Sequence, residues 1–407
     1  MIDDFTHLEG KLDPKRISSV FHRILVYLIY LFTLFSLFTI AGTHISIGII
    51  VSVWMAHMIV TKHWLISKTP LDLSFLLLVM ACIISTVFSV RPHESFIHLK
   101  NITLIGVVYI IASHIREKKE VVRLLDLFIF GSAILALIGL LSTDIMGGKR
   151  VRSFQGITMT WGSMSVIFSL ITASLFLFVQ SCKKRWLYLC AFIFQFVGML
   201  FSYVRGSWVG FIAGFFILVM VKSKKLLFGG IIAILFVILL SPDPLRNRML
   251  SIADLSINST QVRFVQWKNA VKIFQDYPIV GVGWIDLNEI HRQYAPPDAD
   301  LSWAAYQIGH FHNNYVMFLV CFGIVGFAAM AFMIFKLFQT TYRIYRCVSY
   351  EKSTLSAYLI GSIAALTGFW INGFFDWTFG DAETVTLLWF TVGLSIAIGK
   401  IACEDKK

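Results

Sequence analysis

The sequence predicts an all-α integral membrane protein of about twelve transmembrane helices with one large folded loop outside the bilayer. Three observations lead there. Of 407 residues, 57% are apolar and only 14% charged, well below the roughly 25% charged residues of a soluble domain. Apolar runs of a length that crosses a bilayer, about 20 residues, recur along the chain. The connections between them alternate between basic and non-basic, as membrane topology requires. Long uninterrupted runs exclude a soluble enzyme, a disordered chain and a β-barrel, whose strands show only weak alternation.

The runs cover residues 24–41, 44–61, 71–90, 95–113, 121–141, 157–180, 186–202, 204–221, 226–241, 313–335, 354–375 and 384–401. A tight hairpin is expected near Gly42 and Thr43, and Lys100 falls inside the fourth run, where it either snorkels or faces a polar cavity. The first 20 residues are polar and basic without a cleavable-signal pattern, so the first run is expected to be the first anchor. The organisation that follows is an N-terminal segment 1–23, nine helices over 24–241, a loop over 242–311, three helices over 312–401 and a tail at 402–407.

The chain carries 35 Lys and Arg against 23 Asp and Glu, a formal charge of +12. Most of the cations sit on alternate connections: the N-terminus, Lys62 and Lys68, Arg116 to Arg123, Lys183 to Arg185, Lys222 to Lys225, Lys336 to Lys352, and the C-terminus. By the positive-inside rule both termini are expected to be cytoplasmic. The basic excess is thus topological, and no single basic patch with interleaved aromatics points to nucleic acid. The six cysteines show neither CxxC nor metal spacing and read as small apolar filler.

The opposite face holds the chemistry. Its long loop has helical spacing at Val262, Val265, Ala270, Val271 and Phe274. Pro278 ends that helix, Gly281 and Gly283 make a turn, and a second helix-like stretch runs from Ile285 to Tyr294 before the Pro296–Pro297 break. Loops beyond about 15 residues are commonly functional, and this one reads as a folded cap.

Four clusters on that face carry candidate residues. Arg205 lies between two runs at the outer boundary, either as a snorkelling anchor or as a clamp for an anionic headgroup; guanidinium pairs bidentately with phosphate and stays charged. Gly206 and Ser207 beside it would allow close approach and a further donor. Arg263, on the first loop helix, is either a solvated face residue or a second clamp, with Trp267 four residues on able to stack on it. Lys149, Arg150 and Arg152 form a basic cluster that is either plain surface or part of a shared cationic site. His310 and His312 stand where the loop re-enters the membrane; a neutral imidazole there can take a proton from a sugar hydroxyl. Zinc is the rival for the histidines, but no Cys or carboxylate at ligand spacing completes a site. No P-loop or GxSxG elbow is present. A metal-free, cofactor-free reaction on a diphosphate leaving group, with arginines in the metal's place, fits what remains.

These stretches resemble the O-antigen ligase/polymerase superfamily of bacterial envelope glycosyltransferases. His312-Asn313, nine residues, then Gly323-x-x-Gly326 follows the ligase motif, the two glycines reading as a small-xx-small helix-packing pair. Tyr203-Val204-Arg205-Gly206 is similar to the family's outer Ser-Arg-Gly arginine, with Val204 where Ser is usual, and Arg263-x-x-x-Trp267 followed by Pro278-x-x-Gly281-x-Gly283 is similar to the start of its large periplasmic loop. The resemblance implies a GT-C-like helical membrane fold in the bacterial inner membrane with a periplasmic site. It implies metal-independent inverting transfer of O-antigen from undecaprenyl diphosphate to a sugar hydroxyl of lipid A–core, in lipopolysaccharide synthesis. By carry-over His312 would be the base, Arg205 and Arg263 would bind the diphosphate with Arg152 as a further candidate, and His310 and Asn313 would orient the acceptor. The alternatives within the superfamily are an O-antigen polymerase or another lipid-linked oligosaccharide transferase. Outside it, a lipid-linked glycan transporter would need ionisable groups near the bilayer midplane, where only Lys100 stands clearly.

Overall fold

The computed structural model describes residues 14–404 apart from positions 146, 153, 155–156, 224, 226–228, 231–238, 308 and 349–352. The described chain is helical throughout, with α1 at Pro14–Phe38, α2 at Ile40–Thr61, α3 at Asp72–Val87, α4 at Pro92–His98, α5 at Gly106–His114, α6 at Lys118–Ser142, α7 at Thr158–Phe178, α8 at Cys182–Leu200 and α9 at Arg205–Lys222. The long loop contains α10 at Asp243–Leu250, α11 at Asn258–Asp276 and α12 at Asn288–Gln293, and the chain closes with α13 at Asn314–Val348, α14 at Thr354–Asn372 and α15 at Ala382–Glu404. Nine described helical segments are long and apolar enough to cross a membrane. The expected runs 71–90 and 186–202 also form helices; α3 is shorter than the others, with 16 residues, and α8 opens on Lys183, Lys184 and Arg185. The expected run 226–241 lies largely outside the described residues.

Three boundaries differ from the sequence reading. The first hairpin turns at Thr39 rather than at Gly42, because the Thr39 hydroxyl caps α2 by accepting from the Gly42 N–H at 3.4 Å. The fourth run is not one α-helix: a 3₁₀ segment, Leu99–Ile105, separates α4 from α5 and leaves Lys100 exposed on the protein surface. The second helix of the loop is confined to Asn288–Gln293.

Helices α7, α14 and α15 are buried along most of their length, whereas the N-terminal pair is buried over less than half. A core helix inside a bilayer must satisfy its own polar groups. In α7 the hydroxyls of Ser165 and Thr172 donate to carbonyls one turn back, and Ser174 donates across to Ala357 O at 2.6 Å. Small residues bring the backbones together. On α9 a Cβ at Gly210 would lie 2.5 Å from Gly368 O, and one at Gly214 the same distance from Ala364 O. Gly206 continues this stripe to the end of α14, where its missing side chain admits Phe375. The start of α9 is thereby pinned against the turn that follows α14.

The pair Gly323 and Gly326 does not act as a helix-packing pair in a continuous span, as the spacing predicted. Gly323 has φ +62° and ψ −163° and interrupts α13, a conformation open only to glycine. The break receives the turn after α11. Val282 and Gly283 donate to Val320 O and Cys321 O, both at 2.9 Å, and Ile324 donates to Pro278 O at 2.8 Å. Gly281, at φ +71°, sits directly on the Cys321 backbone. Ser85 of α3 and Ser89 just after it close the joint, donating to Cys321 O and Val282 O at 2.7 Å each. Gly326 makes room for the Phe322 ring across the kink. The two glycine motifs, far apart in sequence, are thus two halves of one joint that fixes the loop on the bundle.

Gly323→Ala would force a Cβ to within 2.3 Å of Ile279 O, beyond the roughly 1–3 kcal/mol of backbone strain alone. The expected result is a melting temperature in detergent several degrees below wild type, while Gly48→Ala, where the added methyl meets open space, leaves it unchanged or slightly raised.

Candidate active site

At the loop end of the bundle lies a cleft of about 510 Å³ whose lining includes Arg150, Arg205, Arg248, Arg263, Trp267 and His312. Arg205 is the first residue of α9. It follows Tyr203, whose φ of +58° turns the chain sharply out of α8. Its guanidinium donates to Ser251 O at 2.6 Å and to the hydroxyls of Ser259 and Thr260 at 3.0 and 3.1 Å. Arg263, one turn into α11, donates to Ser259 O at 3.2 Å and Phe375 O at 3.0 Å, while its Nε is buried without a partner. Both arginines therefore meet at Ser259. Arg248 on α10 donates from Nε to Tyr203 O at 3.3 Å.

All three guanidiniums are half-buried, and their hydrogen bonds go to neutral oxygens; among the described residues none of the three forms an ion pair. The Arg248 guanidinium is pushed down to about 10, first by burial and then by repulsion from Arg205, Arg150 and Arg263. Burial lowers Arg263 as well, with Asp376 opposing the shift. Concentrated, partly desolvated positive charge with no carboxylate ion-paired to it among the described residues is a site for an anion.

His312 also lines the cleft, and its Nδ1 lies 3.1 Å from Asp376 Oδ1. Asp376 comes from the turn between α14 and α15, 64 residues away, and also accepts the Trp377 N–H at 2.9 Å. A carboxylate on Nδ1 fixes that nitrogen as the donor and leaves Nε2 with its lone pair for a proton. The neighbouring Asp381 has its pKa raised well above the usual carboxylate range by burial and then by the charges of Asp376 and Glu383, and it accepts from Thr160 at 3.0 Å.

The structure brings Arg205, Arg263 and His312 to one cleft and does not bring every other sequence candidate with them. Arg152 lines a neighbouring cavity with Lys149, and only Arg150 of that cluster borders both. His310 packs edge-on against His312, ring centres 4.8 Å apart, outside the cleft lining; burial and then His312 lower its pKa. Asn313 caps α13, its side-chain oxygen accepting from the Tyr315 and Val316 N–H groups and its amide donating to Phe374 O. Ser207 is fully buried against Gly162 and offers no donor to the cleft. Trp267 does not stack on Arg263: it packs edge-on against Phe264, and the one cation–π contact among the described residues is Lys222 over Phe178.

Sequence reasoning missed Arg248, one of several loop cations with nothing to distinguish it, and Asp376. The one signal for Asp376 was its setting, an acid inside the aromatic string Phe374-Phe375-Asp376-Trp377. The reading that no carboxylate completes the histidine pair is also corrected, since His310, His312 and Asp376 offer ligand atoms within 4.8 Å of one another. That set has the composition of a three-ligand metal site, and the His312–Asp376 hydrogen bond equally makes it a proton-handling pair.

A multi-pass helical membrane protein with an arginine-rich cleft and a carboxylate-supported histidine under an extramembrane cap is the class that fold and site define. Residues 190–331 match the family model described as O-antigen ligase. The matched segment runs from within α8 to the first part of α13 and holds Arg205, Arg248, Arg263 and His312, which supports placing the chain in the O-antigen ligase/polymerase family. No curated protein compared with the chain matches it.

Arg205→Lys keeps a positive charge but loses the planar fork that reaches Ser251, Ser259 and Thr260 together. Binding of inorganic pyrophosphate, as a probe of the anion site, to the detergent-purified protein is expected to weaken by about tenfold or more; near-wild-type affinity would mean that the fork is not what holds the anion.

Proposed function

We propose that the protein is an O-antigen ligase: a metal-independent inverting glycosyltransferase that moves O-antigen from undecaprenyl diphosphate to a sugar hydroxyl of lipid A–core at the periplasmic face of the bacterial inner membrane. The observation that carries this reading is the meeting, in one cleft, of partly desolvated guanidiniums without ion-pair partners and an imidazole backed by a carboxylate. The family match supports the chemistry at its coarser level, transfer of a lipid-linked glycan.

In this reading Arg205 and Arg263 grip the diphosphate and neutralise the charge that grows on it as the glycosidic bond breaks. The acceptor hydroxyl oxygen attacks the anomeric carbon from the face opposite the leaving group. One carbon–oxygen bond forms, the bond to the diphosphate oxygen breaks, and undecaprenyl diphosphate departs with the electron pair. The hydroxyl proton passes to Nε2 of His312, and the imidazolium is stabilised by Asp376. A single displacement inverts the anomeric configuration. Both substrates are amphiphiles, so their lipid chains approach from the bilayer while the glycans stay in water.

Purified protein given undecaprenyl-diphosphate-linked glycan and lipid A–core is expected to form glycosylated core. His312→Ala is expected to abolish transfer while donor binding persists, and Asp376→Asn to lower kcat by roughly 10–100-fold. Chelation with EDTA is expected to leave the rate unchanged; a loss restored by zinc would instead assign His310, His312 and Asp376 to a metal. In a deletion strain, core without any attached long-chain glycan and with lipid-linked polymer accumulating supports the ligase, whereas a surviving core-plus-one-unit band makes the protein a polymerase.

A further inference from the structure

Beside the arginine cleft lies a second, larger cavity of about 810 Å³, between the C-terminal end of α6 and the loop leading into α7. One wall is apolar, with Leu135, Ile138 and Phe154; the rim is cationic, with Lys149, Arg150 and Arg152. The loop is held in place by the Val151 N–H donating to Phe201 O at 2.8 Å and by Phe154 packing on Phe38 of α1. The apolar wall continues along α6 into Ile134, Ile138 and Leu141, all exposed on the protein surface, so a hydrocarbon chain can leave the cavity directly into the bilayer. The one carboxylate in the lining, Asp144, is turned into its own loop, where it accepts the Gly147 N–H at 2.9 Å. Three cations therefore face this space with no acid turned toward them. Arg150 borders both cavities, so a headgroup in the second lies next to the reaction cleft.

We propose that this groove seats the phosphate-bearing end of the acceptor, a phosphorylated glycolipid, with its acyl chains along α6. The inference rests on the glycosyl-transfer reading above, which already commits the donor's single diphosphate to Arg205 and Arg263. A transfer between two membrane amphiphiles needs a second place where an anionic headgroup and a lipid tail are held together. Cations at the bilayer boundary above an apolar wall are such a place.

The test is direct binding to the full-length protein in detergent, measured without any transfer reaction, with lipid A–core, its enzymatically dephosphorylated form, phosphatidylglycerol and undecaprenyl diphosphate as probes. Wild type is expected to bind the phosphorylated glycolipid at least about tenfold more tightly than the dephosphorylated one. The double variant Lys149→Gln/Arg152→Gln, both exposed positions, is expected to bind the two forms equally while still binding undecaprenyl diphosphate. Equal affinities in wild type overturn the proposal. So does phosphatidylglycerol binding as tightly as the phosphorylated glycolipid, which marks an ordinary boundary-lipid site, and so does a double variant that loses undecaprenyl diphosphate, which gives the groove to the donor. Because binding and transfer are read separately, a protein that shows the preference but transfers nothing sinks the ligase reading and leaves the groove standing; one that transfers without the preference does the reverse.

Discussion

The structure depends on keeping three guanidiniums close together and half out of water without carboxylates to quench them. Like charges repel more strongly as water is withdrawn, and Arg248, displaced downward by burial and by its three cationic neighbours, records that cost. The protein offsets it with neutral oxygens: the carbonyls of Tyr203, Ser251, Ser259 and Phe375 and the hydroxyls of Ser259 and Thr260. These acceptors hold the arginines in place without cancelling their charge. Replacing any of them with a carboxylate would make a more stable cleft and a poorer anion site.

Holding that arrangement requires three remote pieces of chain to be rigid relative to one another. Arg205 is fixed by α9, whose glycine stripe lets its start touch the turn after α14. That turn supplies both the Phe375 carbonyl to Arg263 and the Asp376 carboxylate to His312. Arg263 is fixed by α11, and α11 ends in the Pro278–Gly283 turn that locks into the Gly323 break of α13. The same α13 starts just after His312, and Asn314 ties that start to the α14–α15 turn through Gly373, Thr378 and Phe379. The path from each catalytic candidate to the next therefore runs through backbone hydrogen bonds and close glycine contacts rather than through mobile side chains. Such a path holds donors at fixed spacing as charge develops.

The architecture was legible in the sequence to the extent that bilayer physics writes it there. Apolar length and the alternation of Lys and Arg located the helices, and Pro278 marked the end of α11 to within two residues. What periodicity could not show was the meaning of glycines. Gly323-x-x-Gly326 has the spacing of a packed helix pair, and nothing local says that residue 323 takes a left-handed φ, because the reason lies in the turn at Pro278 that occupies the gap. Arg205, Arg263 and His312 stood out as charges or imidazoles where a membrane chain has reason to avoid them. Arg152 stood out for the same reason yet lines another cavity, since a basic string reveals charge but not the direction in which the loop turns. Asp376 was invisible to spacing, as its partner lies 64 residues away.

The charge balance of the cleft connects these pieces. Burial raises the Asp381 pKa well above the usual carboxylate range, and the charges of Asp376 and Glu383 raise it further, so ionising Asp381 is disfavoured. Asp376 hydrogen-bonds His312 and faces Arg263. Arg150, Arg205, Arg248 and Arg263 line the cleft, with Asp376 near Arg263 and Asp254 near Arg205, so positive charge is in surplus there, as an anion site requires. An ionised Asp381 would reduce that surplus, and loss of Asp376 would cost the imidazole its orienting partner. A second buried acid whose ionisation is disfavoured leaves Asp376 to orient His312 while the cleft keeps its positive surplus.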